Sequence, residues 1–240
     1  MHGARGLSIG DDRLRVAPWR GDPETAYVVA RHGRPSAWTL ARCLEQLDAR
    51  GFRAALTAAL PAADHAPYLA NGFTIHERLH LLSRPIDPVP DHSEVAVQLR
   101  RARRRDRPAV LAVDGAAFPP FWRLDEAGLD DALAATPSVR FRVAAHPSDP
   151  SAVVGYAVTG RAGARGYLQR LAVDPEVRRA GIGSALVADA IRWLRRWGAR
   201  EVLVNTQEHN DAAVALYEQL GFRRHDEGLA VLQRPLHPHP

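Results

Sequence analysis

The sequence predicts an α/β (α+β) fold: a mixed, mostly antiparallel sheet flanked by helices on both faces, in tandem with a truncated N-terminal unit of the same style. Three observations predict it. Apolar strand-like runs alternate with amphipathic helical stretches. One run, Leu168 to Val173, passes through a basic, glycine-containing turn straight into a helix. And Ala66-Pro67-Tyr68-Leu69-Ala70-Asn71-Gly72-Phe73 echoes Ala215-Leu216-Tyr217-Glu218-Gln219-Leu220-Gly221-Phe222.

The elements follow in order. Residues 1–12 are polar and glycine-containing, carry no hydrophobic signal region, and are expected to be a flexible terminus. Residues 13–86 read as strand, helix (about Ser36 to Arg50), strand, short helix and strand. Leu44, Leu47 and Gly51 parallel Ile191, Leu194 and Gly198, and Arg84-Pro85-Ile86 parallels Arg234-Pro235-Leu236. The pattern is that of a partial copy of the C-terminal unit; the alternative is chance similarity between alanine-rich helix–strand pairs. Residues 87–94 are a proline-rich linker, with Pro85, Pro88 and Pro90 holding Ser83 to Glu94 extended.

The second unit covers residues 95–236. Val95 to Arg100 is its first strand, and Pro108 to Phe118 a helix with apolar Val110, Leu111 and Val113. Phe118-Pro119-Pro120-Phe121-Trp122 breaks that helix, and Asp125 to Ala134 forms another. Val139 to Ala144 and Ala152 to Thr159 are strands joined by a turn at Pro147 to Pro150. Asp174-Pro175 ends the strand Leu168 to Val173, an amphipathic helix runs from Ser184 to Trp197, and Glu201 to Asn205 is a strand. Residues 237–240 are a Pro-His tail.

The turn Arg178-x-x-Gly181-x-Gly183 is the most informative segment. Glycines allow positive φ or close approach. A helix N-terminus presents unpaired N–H groups and the positive end of its dipole, and Arg178 and Arg179 add charge-assisted donors. This is how a backbone cradles a pyrophosphate, although glycines at a strand-to-helix turn also serve plain packing. The spacing fits neither Gly-x-Gly-x-x-Gly nor a Gly-Lys-Ser/Thr loop.

The segment from Leu168 to Gly183 resembles the first signature of the GNAT acetyltransferase superfamily. Asn210-x-x-Ala213-x-x-Leu216-Tyr217-x-x-x-Gly221-Phe222 is similar to its second, and the likeness covers about Val95 to Leu236. The resemblance implies acetyl-CoA as co-substrate, no metal, and direct attack of an amine on the thioester. It implies cofactor contacts from Leu171, Ala172 and Val173 of a strand splayed from its neighbour, from Arg178, Arg179, Ala180, Gly181, Ile182, Gly183 and Ser184, and from Asn210, which also suits a helix N-cap. One N–H near Leu171 to Val173 polarises the thioester carbonyl. Tyr217 matches the family tyrosine that protonates the departing thiolate; a phenol pKa of about 10 lies near that of a thiol, which suits the task. The other reading of Tyr217 is a ring packed in the core.

The acceptor side is expected at Phe118, Phe121, Trp122 and Gln169, with Thr206, Gln207 and His209 opposite; the other reading of the three aromatics is a small hydrophobic cluster closing the sheet end. No general base is legible: Gln169 is an amide and takes no proton, and Asp114, Glu208 and His209 read as solvated or structural. Arg34 and Ser36 stand where Gly181 and Gly183 stand, so one cofactor site per chain is expected, in the second unit. The acceptor is a primary amine of a small molecule or of a protein N-terminus. The alternative function is a catalytically silent acyl-CoA-binding or sensing module.

Composition bounds the rest. The chain has 240 residues and a net charge of +5, and Arg100 to Arg107, with six arginines and one aspartate, supply the whole excess. That segment lacks interleaved aromatics, so nucleic acid is not an expected partner. No run of about 18 apolar residues exists, so no membrane span is expected. Cys43 is the only cysteine, which excludes an internal disulfide and makes the cytoplasm the expected compartment. A homodimer is compatible with these features.

Overall fold

A computed structural model of the chain describes residues 5–9, 12–30, 33–90, 97–146 and 148–236. The chain divides into two compact units: Met1–Leu81 with Thr206–His209 and His225–Pro240, and Leu82–Asn205 with Asn210–Arg224. In chain order the first unit supplies β1 (Arg5–Ile9), β2 (Asp12–Trp19), β3 (Asp22–Ala30), α1 (Ala37–Asp48), β4 (Ala54–Thr57), β5 (Leu60–Pro61), α2 (Ala66–Leu69) and most of β6 (Thr74–Pro85). The second supplies β7 (Gln98–Arg101), α3 (Arg107–Ala117), α4 (Glu126–Ala134), β8 (Ser138–His146), β9 (Asp149–Ala162), β10 (Arg165–Val173), α5 (Ile182–Arg196), most of β11 (Glu201–Gln207), α6 (Asp211–Gln219) and β12 (Arg223–Arg224). The last strand, β13 (Leu229–Pro235), belongs to the first unit.

In the first unit β1, β2 and β3 form an antiparallel meander and β3 pairs parallel with β4. β13 lies antiparallel to β4, β5 and β6. Helix α1 starts where Ser36 accepts the Thr39 N–H, and its buried Leu40, Cys43, Leu44 and Leu47 recur at helical spacing. That face packs with Tyr68 and Phe73 against Leu14, Val16, Ala26, Val28, Ala55 and Leu232.

In the second unit β7, β8, β9 and β10 pair antiparallel in that order, and β11 joins β10 in parallel. One face packs Val110, Val113 and Leu129 from α3 and α4 against Val143, Tyr156, Val158 and Ala172. The other carries Val187, Ile191 and Leu194 from α5 and Tyr217 from α6, with Leu82 and Ile86. The mixed, mostly antiparallel sheet with helices on both faces is thus present.

Several expectations change. Arg5–Ile9, expected as a flexible terminus, pairs with β2 from Arg5↔Val16 to Ile9↔Asp12. An edge strand needs only its neighbour's backbone ladder, so its polar sequence does not forbid it. Three strands precede α1 where one was expected. The boundary at residue 86 does not separate the units, because β6 ends in the second and β13 lies in the first; a strand takes its unit from the strand it pairs with. The first strand of the second unit is described from Gln98, while residues 91–96 of the linker and strand, and the tail 237–240, lie outside the described residues.

Candidate active site

Strand β10 is the axis of the site. Its parallel pairing with β11 runs from Arg165↔Glu201 to Tyr167↔Leu203 and ends there among the described residues. On its other edge it stays paired with β9 as far as Val173↔Gly155. The register shifts between Leu168 and Arg170, leaving Gln169 as a bulge. The bulge changes which way side chains point. Leu168 and Leu171 pack with the α5 cluster, while Gln169 meets Thr136 and Arg170 meets Asp114 on the α3 face. Past the bulge, the β10 edge on the β11 side is not bound in that parallel ladder, so its amides can serve a ligand.

The turn after β10 leaves the start of α5 open. Arg179 and Gly181 both take positive φ, 69° and 74°. Gly181 is the N-cap of α5 and provides no side-chain cap bond. The first turn holds no acidic residue, so the first-turn amides of Ile182, Gly183 and Ser184 lack both an intrahelical acceptor and a capping oxygen. Arg178 and Arg179 are exposed beside them, with Arg178 Nη2 only 3.5 Å from the Ala117 carbonyl. Gly183 has a packing reason of its own: a Cβ there would lie 3.1 Å from Leu216 Cδ2, so its absence lets α6 close onto α5.

Asn210 is the N-cap of α6, its Oδ1 accepting the Ala213 N–H at 3.2 Å. Tyr217, 5% exposed, packs against Phe222 at 5.5 Å between ring centroids. Among the described residues no hydrogen bond reaches its hydroxyl. Burial pushes its phenol well above the usual tyrosine range, and the Arg170 charge pulls the other way. The phenol therefore keeps its proton at neutral pH and stands further above the thiol range than a free phenol, against the close match expected from sequence.

The aromatic turn is tied to β10 by a buried network that sequence reasoning missed. Asp114 is wholly buried. It accepts Arg170 Nε at 2.8 Å and Nη2 at 3.0 Å, the Tyr156 hydroxyl at 2.6 Å and the Leu124 N–H at 2.7 Å. Four donors leave this carboxylate no role as a proton acceptor. Arg170 also donates to the Trp122 carbonyl at 2.7 Å and lies 3.5 Å over the Phe118 ring, while Phe121 and Trp122 stack edge-to-face at 5.1 Å. The signal was available: Gln169-Arg170 puts two polar residues side by side in an apolar run, which breaks period-two alternation as a bulge does.

Leu171, Ala172 and Val173 lie on β10 as expected, and Gln169 Nε2 donates to Thr136 while its Oε1 is buried with no partner among the described residues. Gln207 and His209 belong to the first unit, where His209 Nδ1 stands 3.7 Å from Glu77 Oε1 and the Glu208 N–H donates to the Arg78 carbonyl. The arginine-rich segment is partly neutralised within its own unit, Arg100 by Asp106 and Arg107 by Glu126 and Asp130. Among the described residues no helix is long and apolar enough to cross a membrane, and no group of three or more His, Cys, Asp or Glu is placed to hold a metal.

A strand that parts from its parallel neighbour thus feeds a glycine-capped helix whose first-turn amides are open. The sequence profile of the acetyltransferase (GNAT) family matches residues 103–222. Mycothiol acetyltransferase of Thermobispora bispora is 31% identical over 221 residues, 85% of this chain and 74% of that protein. The chain belongs to the GNAT acetyltransferase family. Other matches are shorter: mycothiol acetyltransferase of Kocuria rhizophila is 39% identical over 90 residues, 35% of this chain but 30% of that protein. Human N-alpha-acetyltransferase 30 is 47% identical over 60 residues, 25% of this chain and 17% of that protein. Most of these curated relatives are thus matched over less than a third of their length. Among solved structures, a tandem GNAT protein from the clavulanic acid biosynthesis pathway superposes with a TM-score of 0.68 at 16% identity, over 95% of this chain and 80% of that one. This likeness is one of fold.

Proposed function

We propose that this chain is an N-acetyltransferase that moves an acetyl group from acetyl-CoA to a primary amine. The observation that carries the reading is the glycine-capped N-terminus of α5 beside a strand freed from its neighbour. The residues fit the co-substrate. The first-turn amides of α5, with Arg178, Arg179 and Ala180, receive the pyrophosphate, Leu171 to Val173 pair with the pantetheine arm, and Asn210 sits at the start of α6 beside them. Bound acetyl-CoA supplies a thioester acyl group.

The protein's own part is positioning and proton supply. An amide of the Leu171–Val173 segment donates to the thioester carbonyl oxygen, which withdraws charge as the amine nitrogen bonds to the carbonyl carbon. As the carbon–sulfur bond breaks, Tyr217 gives its proton to the sulfur and regains one from the water that takes up the amine's. The amine's own proton passes to water, since Gln169 cannot take it and Asp114 is saturated with donors. Phe118, Phe121, Trp122 and Gln169 form the acceptor side.

The long alignment with a mycothiol acetyltransferase, set against the 60-residue alignment with N-alpha-acetyltransferase 30, favours a small-molecule amine. The first unit is read as a degenerate, truncated relative of the second without a cofactor site, and the cytoplasm as the compartment. The test is thiol release from acetyl-CoA across a panel of small amines and peptides. Release with an amine supports the reading. Tight binding of acetyl-CoA without release from any acceptor makes the chain a silent binding module instead.

A further inference from the structure

The network around Asp114 is more elaborate than core packing needs. A carboxylate with no solvent exposure and a guanidinium with 11% side-chain exposure form a two-bond pair. Taking both charges out of water is costly, and an apolar pair of similar volume usually serves stability as well. What the pair does here is specific. The bulge at Gln169 turns Arg170 onto the α3 face, Asp114, itself held by the Tyr156 hydroxyl, fixes its guanidinium plane, and Nη2 also donates to the Trp122 carbonyl while the flat face stacks on Phe118. One side chain thus ties β10, α3 and the aromatic turn together. Its charge also acts on Tyr217, against the effect of burial.

We propose that Arg170, anchored by Asp114, is the positioning residue of the acyl-transfer site: it holds the Phe118–Trp122 turn as the wall of the amine pocket. This deepens the acetyltransferase reading and rests on it. A fork-shaped donor set is required, because a lysine ammonium can satisfy Asp114 but cannot also bond Trp122 in the same plane and stack on Phe118. Arg170 touches neither reacting atom, so its loss is felt where the amine is placed. The α5 cradle follows Val173 and offers its own first-turn amides, none of them bonded to Arg170 among the described residues.

The experiment uses the full chain and the best amine of the panel. Arg170→Met is expected to raise the amine KM on the order of 10-fold, as small misplacements of a positioned reactant do, and to leave the acetyl-CoA KM within about 2-fold. Arg170→Lys is expected to give an intermediate rise in the amine KM. Trp122 emission, isolated by subtracting the spectrum of Trp122→Phe, is expected to shift in Arg170→Met. Because Arg170→Met leaves a buried carboxylate without its cation, Arg170→Met with Asp114→Asn is measured alongside it; the proposal predicts the same rise in amine KM in this uncharged pair. A folded variant of either kind with wild-type amine KM and unshifted Trp122 emission overturns the positioning role alone. A wild-type chain that releases no thiol with any amine overturns the acetyl-transfer reading, and this inference with it.

Discussion

Helices α2 and α6 end in nearly the same way. Tyr68 faces Phe73 at 5.4 Å and Tyr217 faces Phe222 at 5.5 Å. Gly72 and Gly221 turn the chain with φ of 76° and 82°, and the Phe73 and Phe222 amides return to the Tyr68 and Tyr217 carbonyls. Even the arginine that covers each helix end corresponds: Arg234 donates to the Asn71 carbonyl and Arg84 to the Leu220 carbonyl. The surroundings differ. Helix α1 closes its own N-terminus with the Ser36 side chain, whereas α5 leaves its N-terminus to a glycine. Burial raises both phenols: Tyr68 goes to about 12, with Asp64 and Cys43 adding to the rise, and Tyr217 goes higher still, despite the opposing Arg170 charge. The Tyr-x-x-x-Gly-Phe closure is therefore a way of ending a helix. What sets the second unit apart is the glycine-capped N-terminus of α5.

The hardest test of this contrast is to cut the chain in the linker. The fragment Asp91–Pro240 loses Leu82, Ile86 and Arg84, all buried within the second unit. Each lost apolar side chain removes roughly 1.5–3 kcal/mol of burial, against a typical total stability of about 5–15 kcal/mol. The fragment is expected to aggregate or to lose most of its activity; a soluble, fully active fragment would show that the second unit does not depend on β6.

Two substitutions then address the difference in chemistry. Tyr217→Phe should lower kcat about 100-fold or more in steady-state assays while leaving acetyl-CoA affinity nearly intact, and Tyr68→Phe should change kcat little. An equal loss from both would mean that the two tyrosines only pack. Gly181→Asp brings a carboxylate to the start of α5, at a backbone position with φ of 74°. It sets a carboxylate against the expected pyrophosphate, so calorimetry should show acetyl-CoA binding weakened on the order of 100-fold. Ser36→Gly should create no second binding site in the same measurement, because Arg34 still puts a side chain where the second unit has Gly181.

The smallest effects concern the paired arginines. Arg84→Met and Arg234→Met each leave a helix-end carbonyl without its charged donor, which should cost about 1–3 kcal/mol in urea unfolding. Only Arg84→Met loosens the helix that carries Tyr217, so only it should also lower kcat. Equal effects of both on kcat would erase the distinction between the two closures.

Much of this was legible because it is local. The faces of α1 and α5 follow from apolar residues at helical spacing, and the α5 N-terminus from Asp174-Pro175, two arginines and two glycines within ten residues. The left-handed turns at Gly72 and Gly221 follow from the one residue type that enters that region at little cost. Long-range structure decided the rest. The strand partner of β6 or β13 cannot be read from its own residues, since every ladder offers the same backbone groups. Gly183 reads as a phosphate glycine until Leu216 is found against it. Asp114 reads as a solvated or structural carboxylate until a one-residue bulge turns Arg170 onto it from 56 positions away. A buried ion pair forms only where the fold removes water from both charges at once, and that condition belongs to the packed structure rather than to any window of the sequence.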